Sequence, residues 1–342
     1  MTEHQYITEL ESLLSRLPLE ERQDIVQDIR EYFGDGRKDG KSDSEITASL
    51  GSPLSIASEL IASNPAPTEV IQPNASTEII RIPDEPFKDI AIDVQYGALI
   101  LFPSEDDSTT VELSGSNDKL KLSAEVKGNL LVIKLKCLRP RFMMFSFPMK
   151  NVTLKVSIPK KLYDSISLKT DNGKICAEKL LSQSLRVKSD NGRIQLREVA
   201  TRLLESKTDN GRIEVTNTQS DRIIAKTDNG RIEMHHVEAD GIAVETDNGR
   251  IELSNVNGNI VGETDNGQIT LLTNSLDRNI DMQTDNGSIL IQSEEKPTNV
   301  TIQTKTSHGR VDVFGENNSR TAFGSGEHII RLRSANGRIT VQ

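Results

Sequence analysis

The sequence predicts a mainly β protein, a parallel β-solenoid with coils of about 19 residues, preceded by a small all-α helical bundle. Three observations carry this. One phrase, Thr-Asp-Asn-Gly-Arg-Ile-Glu, recurs through the second half of the chain at a nearly fixed period. Residues alternate apolar and polar on both sides of each copy. The first 62 residues instead carry apolar residues at three-to-four spacing.

The Asn-Gly pair marks the period. It occurs at Asn172-Gly173, Asn191-Gly192, Asn210-Gly211, Asn229-Gly230, Asn248-Gly249, Asn266-Gly267 and Asn286-Gly287, in steps of 19, 19, 19, 19, 18 and 20. His308-Gly309 and Asn336-Gly337 are degenerate copies. A constant short period over this length signals a repeat architecture. In one copy, Ile223 and Ala225 alternate with Ile224 and Lys226 before the turn, and Ile232 and Met234 alternate with Arg231 and Glu233 after it. Alternation with period two reads as two short strands, each with one buried face. Asn and Gly tolerate positive φ, which predicts a sharp corner between them.

Asn-Gly between alternating strands is equally the signature of a β-hairpin, so an antiparallel meander is the competing fold. Its elaborate form, a propeller, needs about 40 residues per blade, and odd and even copies here do not differ systematically. Stacked coils spaced at roughly 4.8 Å would instead place like residues in columns. Ile would fill the core, Asn would form a hydrogen-bonded ladder, and Lys, Asp, Arg and Glu would interleave on the surface. Exposed ion pairs contribute little individually, so solubility and register are their expected roles.

The organisation expected is a helical bundle over residues 1–62, a Pro-rich linker over 63–78, a β-rich N-terminal part of the solenoid over 79–160, and the regular solenoid over 161–342. In the head, Thr2 is the expected cap of a first helix bearing Tyr6, Ile7, Leu10 and Leu14; Ser42 or Ser44 caps a later one. Strands are expected at 89–94, 98–102, 110–113, 120–126, 130–136 and 152–158, with Tyr96-Gly97 as a worn corner. Phe142, Met143, Met144, Phe145 and Phe147 cluster between prolines and arginines. They read as a lid over the open end of the stack or as a partner-binding loop. The chain closes in a strand at 338–342, after a Gly- and Asn-rich loop at 315–326. Either that loop covers the edge of the final strand, or two molecules meet there, which would make the C-terminal coil a homodimer contact.

Charge and composition narrow the function. The net charge is -10, which argues against direct nucleic-acid binding. The head alone holds thirteen acidic and six basic residues. Cys137 and Cys176 match no metal or redox spacing. No apolar run is long enough to span a bilayer, so the expected location is the cytoplasm, with membrane contact only through a partner. The Asp residues of the corners occupy equivalent positions, whereas a catalytic carboxylate pair needs two distinct environments. No metal, cofactor or catalytic residue is expected.

Two resemblances add to this. Leu10-x-x-Leu13, Leu17-Pro18-x-Glu20-Glu21-Arg22, Asp28-Ile29-x-Glu31-Tyr32-Phe33 and Ser49-Leu50-Gly51-Ser52-Pro53 resemble the bacterial HAAS helical domain. That resemblance implies a regulatory or signalling adaptor, often encoded near transcriptional regulators and envelope-stress membrane proteins. The Val156-Ser157-Ile158-Pro159 strand ending and the Thr-Asp-Asn-Gly corners resemble the bacterial adhesin-like β-strand-repeat family, the toastrack domain. Together they imply a non-enzymatic signalling or scaffold protein whose head binds a protein partner and whose solenoid is a rigid recognition surface. An adhesin-like polymer-binding protein is the alternative, and a carbohydrate-active β-helix enzyme ranks third.

Overall fold

The computed structural model describes the chain apart from residues 16–21, 23–25, 27–28, 31–32, 35–36, 38–40, 55–56, 58–75, 83–85, 117–119 and 138–151. It forms two compact units, residues 1–75 with 137–151 and residues 76–136 with 152–342.

In the helical unit, Thr2 opens the helix Glu3–Leu13 with a capping box. Its hydroxyl accepts from the Gln5 N–H, and the Gln5 side chain accepts from the Thr2 N–H. Ser42 and Glu45 repeat the device at Asp43–Leu50. Tyr6, Leu10 and Leu14 lie one helical turn apart and bury against Ile29, Phe33 and Ile46. The Tyr6 and Phe33 rings meet edge-on at 5.9 Å, and the Tyr6 hydroxyl donates to the Gly51 carbonyl at 3.1 Å. Arg37 ties the two helix starts together by reaching Asp43 at 2.8 Å and Glu3 at 2.7 Å.

The other unit is built of strands. Leu181–Ser189 runs parallel between Leu162–Asn172 and Ala200–Thr208, with Leu185 opposite both Ile166 and Leu204. Ile194–Arg197 runs parallel between Ile175–Glu178 and Ile213–Thr227, with Ile194 opposite Ile175 and Ile213. The strands before and after a corner therefore belong to different ladders, and each pairs with its counterpart in the neighbouring repeat. A hairpin would have paired them with each other. Ile213, Val215, Ile232, Met234, Ile251 and Leu253 fill the interior.

Stacking order departs from chain order at both ends. Asp89–Tyr96 lies between Leu130–Cys137 and Leu162–Asn172, so residues 130–137 stack outside residues 89–96. Thr109–Ser116 joins Thr153–Ile158 antiparallel, and Ser76–Ile82 joins Thr109–Ser116 antiparallel in turn. The first strand thus begins at Ser76, inside the span read as linker. Tyr96 faces Asn172, which makes Tyr96-Gly97 a member of the corner column.

At the other end, His328–Asn336 pairs with Ile280–Thr284 on one side and Val300–His308 on the other. Ile339–Val341 likewise sits between Ile289–Ser293 and Val311–Val313. The final strand is interior, so earlier strands cover both of its edges, in place of the loop or the second molecule expected at 338–342. Residues 300–313 stack beyond it, and Arg320–Phe323 pairs antiparallel with Val300–His308. The connection through 315–326 is long enough to let the chain return inside, where both sides of the last strand gain partners.

Candidate recognition surface

The corner phrase is a set of stacked contacts. Thr208, Thr227, Thr246, Thr264 and Thr284 are buried, and each hydroxyl donates to a glycine carbonyl of the previous corner, at 3.2, 3.0, 3.0, 3.1 and 3.0 Å. The Asn side chains form a continuous ladder. Asn191 donates to Asn172, Asn210 to Asn191, Asn229 to Asn210, Asn248 to Asn229, Asn266 to Asn248, Asn286 to Asn266 and Asn336 to Asn286, all at 2.8 or 2.9 Å.

The glycines are required for closeness and not for positive φ. None of Gly173, Gly192, Gly211, Gly230, Gly249, Gly267 and Gly287 has φ in the left-handed range, and neither do the asparagines before them. A Cβ on Gly230 would instead stand 1.7 Å from the Gly211 carbonyl oxygen, and one on Gly192 1.7 Å from that of Gly173. The need for glycine at these positions is therefore steric, and not the positive φ that the sequence predicts.

Left-handed backbone occurs at a second corner that sequence reading missed. Lys179, Glu198, Asn217, His236 and Asn255 have φ of 54, 53, 50, 54 and 52°. Side chains of four types occupy this column, so no motif announces it; the Asn pair at 217 and 255 is the only local hint. Strained backbone persists where its surroundings over-determine it, and here each residue is held between its counterparts in adjacent repeats.

Beside this second corner runs a groove of 670 Å³ lined by Asn217, Gln219, His236, Glu238, Asn255 and Asn257 among others. It shares Ala200, Gln219, Glu238 and Asn257 with a neighbouring depression of 510 Å³ that also holds Leu162 and Leu181. Those two leucines are among the most exposed large apolar residues described, at 46% and 48%. The Asn255 amide contacts the His236 ring at 3.3 Å.

Charges interleave on the sheet faces. Arg212 reaches Glu214 at 3.1 Å and Glu233 at 3.7 Å, and Arg231 reaches Glu233 at 3.1 Å. Lys226 pairs with Glu245, and Arg186 with Glu205 at 2.7 Å. Burial pushes the Glu214 carboxyl up, yet hydrogen bonds from Gln195 and Arg212 outweigh it and hold it below the ordinary range. Cys137 and Cys176 are both half buried, and burial pushes the Cys176 thiol up. Among the described residues no cluster of His, Cys, Asp or Glu could hold a metal ion, and no helix is long and apolar enough to cross a membrane. Phe142, Met143, Met144, Phe145 and Phe147 lie outside the described residues.

Residues 87–342 match the family model described as Toastrack DUF4097. The chain belongs to the toastrack family. Residues 5–59 match the HAAS model, which sets a HAAS domain before the toastrack domain. No curated protein matches this toastrack chain. Among solved structures, it is similar to a "putative adhesin" from Parabacteroides distasonis ATCC 8503, at 14% identity and TM-score 0.51, covering 78% of this chain and 98% of that one. A "putative lipid binding protein" from the same organism is 16% identical at TM-score 0.49, over 79% and 98%. A "putative adhesin" from Bacteroides fragilis NCTC 9343 is 17% identical at TM-score 0.44, over 80% and 100%. At such identities the likeness extends to the fold alone, and the first carries it.

Proposed function

We propose that this toastrack protein is a non-enzymatic scaffold of an envelope-stress type signalling system, acting in the cytoplasm. Its β unit serves as a parallel β-solenoid of about 19-residue coils, a rigid recognition surface, and its HAAS head binds a protein partner. Any membrane contact is made through that partner. The observation that supports a framework role is the equivalence of the interior corners: from Asn191 to Asn286 and from Thr208 to Thr284 each side chain makes the same contact as its counterparts, so none of them is set apart for chemistry. On the head, a hollow of 350 Å³ between Thr2, Glu3, Ile7, Arg30 and Arg37 supplies a mixed apolar and charged patch suited to a protein surface. Contact between copies would use the C-terminal end of the stack at Val311–Val313, the strand that lies beyond Ile339–Val341.

Affinity capture from the native cell tests this, with the full chain, a chain lacking residues 1–62, and Arg30→Glu run in parallel. Partners that depend on the head should be lost from the second and weakened in the third. Retention of the same partners by the headless chain would overturn the adaptor role.

A second reading, an adhesin-like polymer-binding protein, draws on the groove along the second corner, whose amide-rich lining runs across several repeats. Calorimetric titration with cell-wall glycan fragments, comparing the native chain with Asn255→Ala, separates the two readings.

A further inference from the structure

The chain contains nine Asn-Gly steps, at Asn172, Asn191, Asn210, Asn229, Asn248, Asn257, Asn266, Asn286 and Asn336. Asn-Gly is the dipeptide in which the side-chain amide is most open to attack by the following backbone nitrogen, because glycine carries no side chain to obstruct the approach. All nine asparagines are exposed, so access to water does not distinguish them. Their hydrogen bonding does.

The ladder has a direction: each Nδ2 donates towards the N-terminal end and each Oδ1 accepts from the other side. Asn191, Asn210, Asn229, Asn248, Asn266 and Asn286 both donate and accept. Asn336 donates to Asn286. Asn172 accepts from Asn191 and stands at the donor end, where its own Nδ2 meets no acceptor among the described residues. Asn257 lies off the ladder; its Oδ1 accepts from Arg278 at 3.3 Å, and its Nδ2 likewise meets no acceptor among them.

We propose that Asn172 and Asn257 are the deamidation sites of this chain, and that the ladder keeps the other seven Asn-Gly steps unreactive. In the reaction the backbone nitrogen of Gly173 or Gly258 attacks Cγ of the preceding Asn and loses its proton to solvent. Nδ2 leaves as ammonia and a five-membered succinimide forms. Water then opens either imide carbonyl, yielding aspartate or isoaspartate. The leaving nitrogen is untethered at Asn172 and Asn257, whereas at the ladder positions it must first give up its bond to the neighbouring Oδ1, while the interior six must also release an incoming donor.

Aspartate at position 172 still offers Asn191 an acceptor, so the product is compatible with the stack there. An interior aspartate would lack the donor that the preceding Oδ1 requires. The ladder thus spares the interior positions, whose aspartate product would break it.

Prolonged incubation of the full chain at mildly alkaline pH, followed by proteolysis and mass spectrometric mapping in heavy-oxygen water, tests the proposal. Digestion at glutamate separates the copies whose tryptic peptides are identical. Conversion at Asn172 and Asn257 should run about tenfold faster than at Asn229, the factor worth roughly one net hydrogen bond. Similar rates at Asn172 and Asn229 would overturn it. In Asn229→Ala, Asn248 loses its acceptor and should rise to the rate of Asn172, while Asn191 stays slow. A uniform rise would show that loosening of the stack, not the individual bond, sets reactivity, and would overturn it too.

Discussion

The Thr227 hydroxyl donates to the carbonyl oxygen of Gly211 at 3.0 Å, from a position almost wholly shielded from solvent. From Ser189 to Thr284, one buried hydroxyl thus ties each corner to the one before it. Thr227→Val keeps the shape and removes the donor, leaving a buried carbonyl without its side-chain partner. A loss of about 1–2 kcal/mol is expected in denaturant titration, with Thr227→Ser recovering most of it.

Glycine at the corner answers to crowding. Gly230→Ala would drive a methyl into the Gly211 carbonyl, where backbone and not a flexible side chain is the obstacle. Destabilisation of roughly 3 kcal/mol or more is expected. Gly241→Ala, with nothing within 4 Å of the added carbon, should shift the same unfolding curve by less than about 0.5 kcal/mol.

The ladder's direction predicts unequal effects of one substitution. Asn172→Asp retains the acceptor that Asn191 uses, so its thermal midpoint should stay close to that of the native chain. Asn229→Asp sets a carboxylate oxygen against the Asn210 oxygen that it formerly supplied with a donor. A cost of about 1–3 kcal/mol is expected there. Equal effects at both sites would contradict the polarity of the ladder.

Because His328–Asn336 and Ile339–Val341 lie between earlier strands, removal of residues 328–342 should detach 300–323 from the stack. Limited proteolysis of the truncated chain is expected to cut within 300–323 first, while the strands through Ile280–Thr284 stay protected. Uniform protection across 300–323 would show that the inserted strands do not hold that segment.

The helical unit should weaken in acid. The Asp43 carboxyl is held below the usual carboxylate range, first by the Glu3 N–H and then by the Arg37 guanidinium. A depressed pKa means that the unfolded chain binds the proton more tightly, so the contribution is present above the unfolded value and lost as pH falls through the folded one. The midpoint of the helical signal should therefore drop as pH falls below the ordinary carboxylate range. Asp43→Asn should flatten that dependence, and salt should reduce it.

Much of this molecule is legible in one dimension. Asn172, Asn191 and their counterparts are found in one ladder because a period close to 19 carries every side chain back to the same place, and alternation at Ile232 and Met234 names the inward face directly. Caps at Thr2 and Ser42 are equally local. The left-handed corner from Lys179 to Asn255 was not legible, since stacking neighbours and not residue type hold its backbone.

The sequence by itself determined the repeat, the inward faces and the mainly β class, because each depends on contacts that every copy makes in the same way. Only the tertiary structure decided the order of strands at the two ends and the true reason for glycine. Near-identical strands offer near-identical edges, so the place of residues 130–137 and 328–341 in the stack depends on where long connections let the chain return. Crowding at Gly230 likewise exists only once Gly211 is beside it.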